Sequence, residues 1–192
     1  MAAFSVEGYV IVSADGMLAD ARHVMPAALK FDGDKAFFNA ALDRAAIIVH
    51  GRNSFEDQPN SPRRTRIILT NAVSALAPDP KNPKATLWNP QGARFEQACQ
   101  FAGVRAGTVA IIGGPGVFAM FMDRYDTFWL SQAPKIRLSG GEPCFSGVPA
   151  RSPEQVLAAH GLRAAETLML DEAFGVTVTA WRRDNAPGAV RR

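Results

Sequence analysis

The sequence predicts a mixed α/β sandwich with a mainly parallel sheet that closes on an antiparallel pair of strands. Three observations predict it. Thr108 to Ile112 is a continuous apolar run rich in β-branched residues, the pattern of a strand covered on both faces. Gly113-Gly114-Pro115-Gly116 follows without a spacer, and Val117, Phe118 and Phe121 then recur at near-helical spacing, so strand, glycine turn and helix succeed one another. Near the end of the chain Val176, Val178 and Ala180 alternate with Thr177, Thr179 and Trp181, the period-two pattern of a strand that pairs with 166–170 at a sheet edge.

The remaining elements fall between these. Tyr9 to Val12 reads as a buried strand, ended by the turn Ser13-Ala14-Asp15-Gly16. Met17 to Lys30 has no firm period and contains Pro26, so it reads as a mobile loop. Phe37, Phe38, Ala41 and Leu42 place a helix from about Asp34 to Asp43. Ala45 to His50 is a buried strand running into Gly51-Arg52-Asn53-Ser54-Phe55-Glu56, and Arg66 to Leu69 is another, stopped by Thr70-Asn71. The three prolines between Ala77 and Lys84 predict a surface loop, followed by a short strand at Thr86 to Trp88 and a helix over Gly92 to Ala102. After the central unit come a strand at Thr127 to Leu130, a loop at Gly140-Gly141-Glu142-Pro143 and a short helix at Pro153 to His160. Residues 1–184 read as one domain with a frayed tail, 185–192.

The 192 residues are 47% hydrophobic and 20% charged, which supports one substantial core. The net charge of +3 is partly in the tail, and no basic stripe is interleaved with aromatics, which argues against a nucleic-acid surface. No apolar run approaches the roughly 20 residues that span a bilayer, and the N-terminus has no signal-peptide pattern. Cys99 and Cys144 match no metal spacing and fit free thiols in a reducing cytoplasm.

Ligands of parallel sheets bind beyond the carboxyl ends of the strands, where Gly51 and Gly113 both stand. A helix N-terminus carries unpaired N–H groups, and glycines allow a phosphate to approach them. A tight strand-to-helix turn accounts for GGPG equally well. Asp34 has two readings too: a pocket carboxylate, or a first-turn acid that complements the helix dipole.

The order of features resembles the dihydrofolate reductase superfamily, which includes the pyrimidine reductase of riboflavin synthesis. It rests on the Asp turn, Met25-Pro26, Asp34 with Phe37 and Phe38, GRNSFE, RTRIILT, and IIGGPGVFAMF before DTFWLS, over about Tyr9 to Phe145. The resemblance implies a three-layer sandwich and a cytoplasmic NADPH-dependent oxidoreductase acting on a pterin or pyrimidine ring. It implies that Gly51, Arg52, Asn53 and Ser54 start a helix on one side of the cofactor phosphates. Gly113, Gly114, Pro115, Gly116, Val117 and Phe118 would hold the pyrophosphate, with Gly113-Gly114 joined by a cis peptide. Thr70 and Asn71 would lie near the adenosine ribose, and Ile11, Leu18 and Ile112 around the nicotinamide. Asp34 would be the catalytic carboxylate, supported by Ser131, with Phe38 packed on the substrate ring and Arg64 paired with a folate-type carboxylate tail. Asp32 is the rival to Asp34.

Three departures bear on the substrate. Ala27 stands where dihydrofolate reductases usually carry a lid tryptophan, and Gly116 replaces an arginine that often binds the cofactor phosphates. SADGMLA, Ser13 to Ala19, is closer to the riboflavin-pathway pattern. Dihydrofolate leads narrowly over the ribosylamino-pyrimidine phosphate of that pathway, because Arg64 and Asp34 are retained. A dinucleotide-binding module without turnover is the reading from another class. Exposed apolar faces allow a homodimer.

Overall fold

The computed structural model describes residues 4–54 and 58–184. Phe55, Glu56 and the 185–192 tail, for which a phosphate-side motif and fraying are expected, lie outside the described residues. Among the described residues, eleven strands and four α-helices are arranged as three layers. In chain order they are β1 (Phe4–Ser13), β2 (Met17–Ala19), α1 (Asp32–Arg44), β3 (Ile47–Gly51), β4 (Arg66–Leu69), β5 (Leu76–Asp79), β6 (Asn82–Trp88) and α2 (Phe95–Phe101). Then follow β7 (Gly107–Ile111), α3 (Pro115–Phe121), β8 (Thr127–Ala133), β9 (Glu142–Pro143), α4 (Pro153–Ala159), β10 (Leu162–Asp171) and β11 (Val176–Arg183).

The central sheet has the order β10-β11-β8-β1-β7-β3-β4-β6-β5. Its middle is parallel, from β8 through β1, β7, β3 and β4 to β6. β11 joins β8 antiparallel and pairs with β10, as the alternation near the C-terminus predicts. Strand parity divides the core. Val6, Val12, Val109, Ile111, Phe128 and Leu130 face α2, α3 and α4. Tyr9, Ala110 and Trp129 face α1, and Ile11 joins Leu29 and Phe31 on the same side.

Local chemistry explains the helix starts. Pro115 opens α3, where its missing N–H costs nothing. Ser152 and Gln155 form a reciprocal capping box on α4, with the Ser152 N–H donating to Gln155 Oε1 at 2.9 Å. α1 begins at Asp32, two residues before the expected start, with Asp32 and Asp34 both in its first turn. Gly33 permits this placement, because a Cβ there would stand 1.9 Å from the Leu170 carbonyl oxygen of β10.

Two expected loops contain strands. Residues 76–88 form the β5–β6 hairpin at the sheet edge, where Pro78 needs no ladder partner on its outer side. Met17–Ala19, inside the expected mobile loop, pairs with Glu142–Pro143. The prolines of the first hide its strands, and the second pairing leaves no local signal, since it depends on a distant segment arriving alongside. Among the described residues no helix is long and apolar enough to cross a membrane.

Candidate active site

The carboxyl ends of β3 and β7 are adjacent in the sheet, and their glycine corners touch. The Ile112 N–H donates to the Val49 carbonyl at 3.0 Å, and the Gly51 N–H to the Gly113 carbonyl at 2.8 Å. The Gly113–Gly114 peptide is cis. Gly113 has φ +107°, and a Cβ there would stand 3.2 Å from the Phe118 ring. A Cβ at Gly114 would stand 3.2 Å from Ser54 Oγ, while at Gly116 it would meet nothing within 4 Å. Backbone therefore forms this wall, and its outer side is open.

The corner opens on a cleft of about 1520 Å³. At one end lie Gly51 to Ser54, Thr70 with Asn71, and the run from Gly113 to Phe118. Ile11, Leu18 and Ile112 make an apolar middle, and Asp34, Phe38 and Ser131 line the other end. Gly51 to Ser54 form a turn closed by the Ser54 N–H to the Gly51 carbonyl at 3.1 Å. The Thr70 hydroxyl accepts from the Ala72 N–H at 3.1 Å, which fixes the second turn.

Both first-turn acids of α1 line the cleft, Asp34 half-buried and Asp32 exposed. Burial raises the Asp34 pKa above the ordinary carboxylate value, and a hydrogen bond from Ser131 partly offsets that rise. Ser131 is itself buried on β8. The Phe38 ring lies 6.2 Å from that of Tyr9.

Arg64 is the expected site residue that the fold directs elsewhere. Its guanidinium lies against the flank of α1, with Nη2 2.6 Å and Nε 3.1 Å from Asp43 Oδ1, and a further hydrogen bond to Asn39 Oδ1. It does not line the cleft. Asn39 and Asp43 are one helical turn apart and meet the same fork.

Tyr9 and Trp129 line the cleft as well, although no site role was expected of them. The period of two could have found them, since each precedes an expected site residue, Ile11 or Ser131, by two positions on the same strand face. The 17–30 segment borders the opening. Ser13 Oγ accepts from the Met17 N–H at 3.0 Å, Asp15 accepts from the Leu138 N–H at 3.0 Å, and His23 Nδ1 lies 3.2 Å from Glu142 Oε1.

No protein-family model matches the chain, and no curated protein matches it significantly. Solved structures share its fold. A protein from Shewanella sp. PV-4, provisionally assigned to riboflavin biosynthesis, is 21% identical with a TM-score of 0.65, covering 93% of this chain and 98% of its own. Dihydrofolate reductase from Enterococcus faecalis, complexed with NADP(H) and RAB-propyl, is 17% identical with a TM-score of 0.64, covering 94% and 97%. A diaminohydroxyphosphoribosylaminopyrimidine deaminase/5-amino-6-(5-phosphoribosylamino)uracil reductase from Thermotoga maritima is 15% identical with a TM-score of 0.61, covering 93% of this chain and 56% of that one. The fold is dihydrofolate reductase-like.

Proposed function

We propose that this chain is an NADPH-dependent reductase that delivers hydride to a pterin or pyrimidine ring. One observation carries the reading: a single cleft joins the bonded corners at Gly51 and Gly113 to the half-buried Asp34–Ser131 pair. The backbone wall fits a diphosphate, since Cβ atoms at Gly113 and Gly114 would crowd their neighbours while Gly116 leaves its side open. Gly51 to Ser54, Thr70, Asn71 and Gly113 to Phe118 would hold NADPH, with Ile11, Leu18 and Ile112 around its nicotinamide. When bound, NADPH supplies the hydride.

The chain's own residues do the rest. The Asp34 carboxylate can accept two hydrogen bonds from an amino-pyrimidine edge and orient the ring, with Phe38 packed on it. Its negative charge favours protonation of the ring nitrogen beside the carbon that is reduced, and its raised pKa lets it hold a proton nearer neutrality. Ser131 fixes the carboxylate's direction. Leu18 and Met25, on the segment bordering the opening, help keep water out.

Between the two substrates, the engagement of Arg64 with Asp43 and Asn39 favours the ribosylamino-pyrimidine, which has no glutamate tail to pair. Buried free thiols at Cys99 and Cys144 support a reducing, cytoplasmic setting. Exposed Leu168, Met169 and Phe174 support a homodimer, which sedimentation would test.

The deciding experiment follows NADPH absorbance with dihydrofolate and, separately, with the ribosylamino-pyrimidine phosphate. Oxidation is expected with the second in preference to the first. A protein that neither binds NADPH nor oxidises it ends the reading. Ala27 in place of a lid tryptophan favours the second reading, a dinucleotide-binding module, which NADPH binding without oxidation by either ring would select.

A further inference from the structure

We propose that Glu7, a residue outside the cleft, positions its ring-binding half by clamping two aromatic side chains, a role that rests on the reductase reading above. Glu7 lies on β1 and does not line the cleft. Its Oε2 accepts from Tyr9 Oη at 2.5 Å and from Trp129 Nε1 at 2.9 Å, and both of these side chains line the cleft. A carboxylate accepting two donors at once fixes both rings more firmly than neutral partners would. Burial and the neighbouring Glu7 charge raise the Tyr9 pKa, so the phenol stays a donor at physiological pH.

The two clamped rings act on different partners of the Asp34–Ser131 pair. The Tyr9 ring lies 6.4 Å from Phe37 and 6.2 Å from Phe38, and the Trp129 ring 5.3 Å from Phe37. Phe37 and Phe38 stand three and four residues after Asp34, so they share its side of α1. Trp129 stands two residues before Ser131, on the same face of β8. Glu7 thus ties the helix that carries the carboxylate to the strand that carries its hydroxyl partner. It also turns the polar tips of Tyr9 and Trp129 away from the cleft, leaving their rings as its wall.

Glu7→Leu and Glu7→Gln test the role, the second keeping an acceptor oxygen in case the first does not fold. The readouts are the ring substrate's KM, the NADPH Kd, and the exchange rate of the Trp129 Nε1–H in NMR, identified by its loss in Trp129→Phe. Glu7→Leu should raise KM about tenfold, keep the NADPH Kd within about twofold and expose the indole proton to faster exchange, with Glu7→Gln between it and the parent. A KM that stays at the parent value while the indole exchanges faster overturns the proposal. So does a parallel rise in KM and Kd, which signals general loosening. If the parent protein fails to bind NADPH, the reductase reading falls. The clamp is then decided by 2,4-diaminopyrimidine binding alone: weakening in Glu7→Leu supports it and parent affinity overturns it.

Discussion

Around Gly51 and Gly113 the cleft wall is backbone, whereas around Asp34 and Ser131 it is made of side chains from a helix and a strand on the α1 side of the sheet. The first region comes from two parallel strands ending side by side, so its shape follows from strand order and the absence of Cβ atoms. The second needs α1 to sit at the right height above β1 and β8, which Gly33 permits on one side and the Tyr9, Phe37, Phe38 and Trp129 rings set on the other. A backbone wall has little freedom to adjust, while a side-chain wall can be retuned one group at a time. The two ends should therefore fail differently.

The largest effect is expected at the backbone end. Gly113→Val would force a β-branched residue into positive φ with its Cβ 3.2 Å from the Phe118 ring, at a cost of about 1–3 kcal/mol. Fluorescence titration should show no NADPH binding, while 2,4-diaminopyrimidine still binds beside Asp34. Retained NADPH affinity in this variant would erase the distinction between the two ends.

Asp34→Asn should lower turnover by about 10²–10⁴-fold with the NADPH Kd within about twofold of the parent. Turnover equal to the parent's removes Asp34 from the chemistry. The same substitution has a stability consequence. Because burial raises the folded-state pKa above the unfolded one, folding stability declines as pH rises from the ordinary carboxylate range through the raised value. Asp34→Asn should flatten that decline in thermal melts taken from acidic to neutral pH, leaving the variant the more stable at neutrality.

Ser131→Ala sharpens the comparison further. Removing the hydroxyl deletes the interaction that lowers the Asp34 pKa, so the pH at which turnover changes with Asp34 ionisation should move upward, with a few-fold loss of turnover. A pH profile that stays in place separates the two residues. The smallest functional effect is expected from Arg64→Ala: a lower melting temperature, because Asn39 and Asp43 lose their shared partner, and a KM within about twofold for either ring. A selective rise in KM for dihydrofolate would return Arg64 to the cleft.

The legibility of the chain follows the same division. β7, the GGPG turn and α3 were readable because an apolar run, a glycine turn and a helical repeat are contiguous, and the structure places all three within about a residue of expectation. The β10–β11 pair was readable from simple alternation. The β5–β6 hairpin was not, since its prolines signal a loop until an edge position makes them harmless. Nor was the β2–β9 pairing, which joins residues more than a hundred positions apart.

By itself the sequence determined the order of the main strands and helices, the two glycine corners and the first-turn acids of α1, because each rests on stereochemistry within a few residues. Tertiary structure alone decided that Gly51 bonds to Gly113, that Asp34 is half-buried while Asp32 is exposed, and that Arg64 closes on Asp43 and Asn39. Burial and the choice between competing partners are properties of the packed layers, and no short stretch of chain contains them.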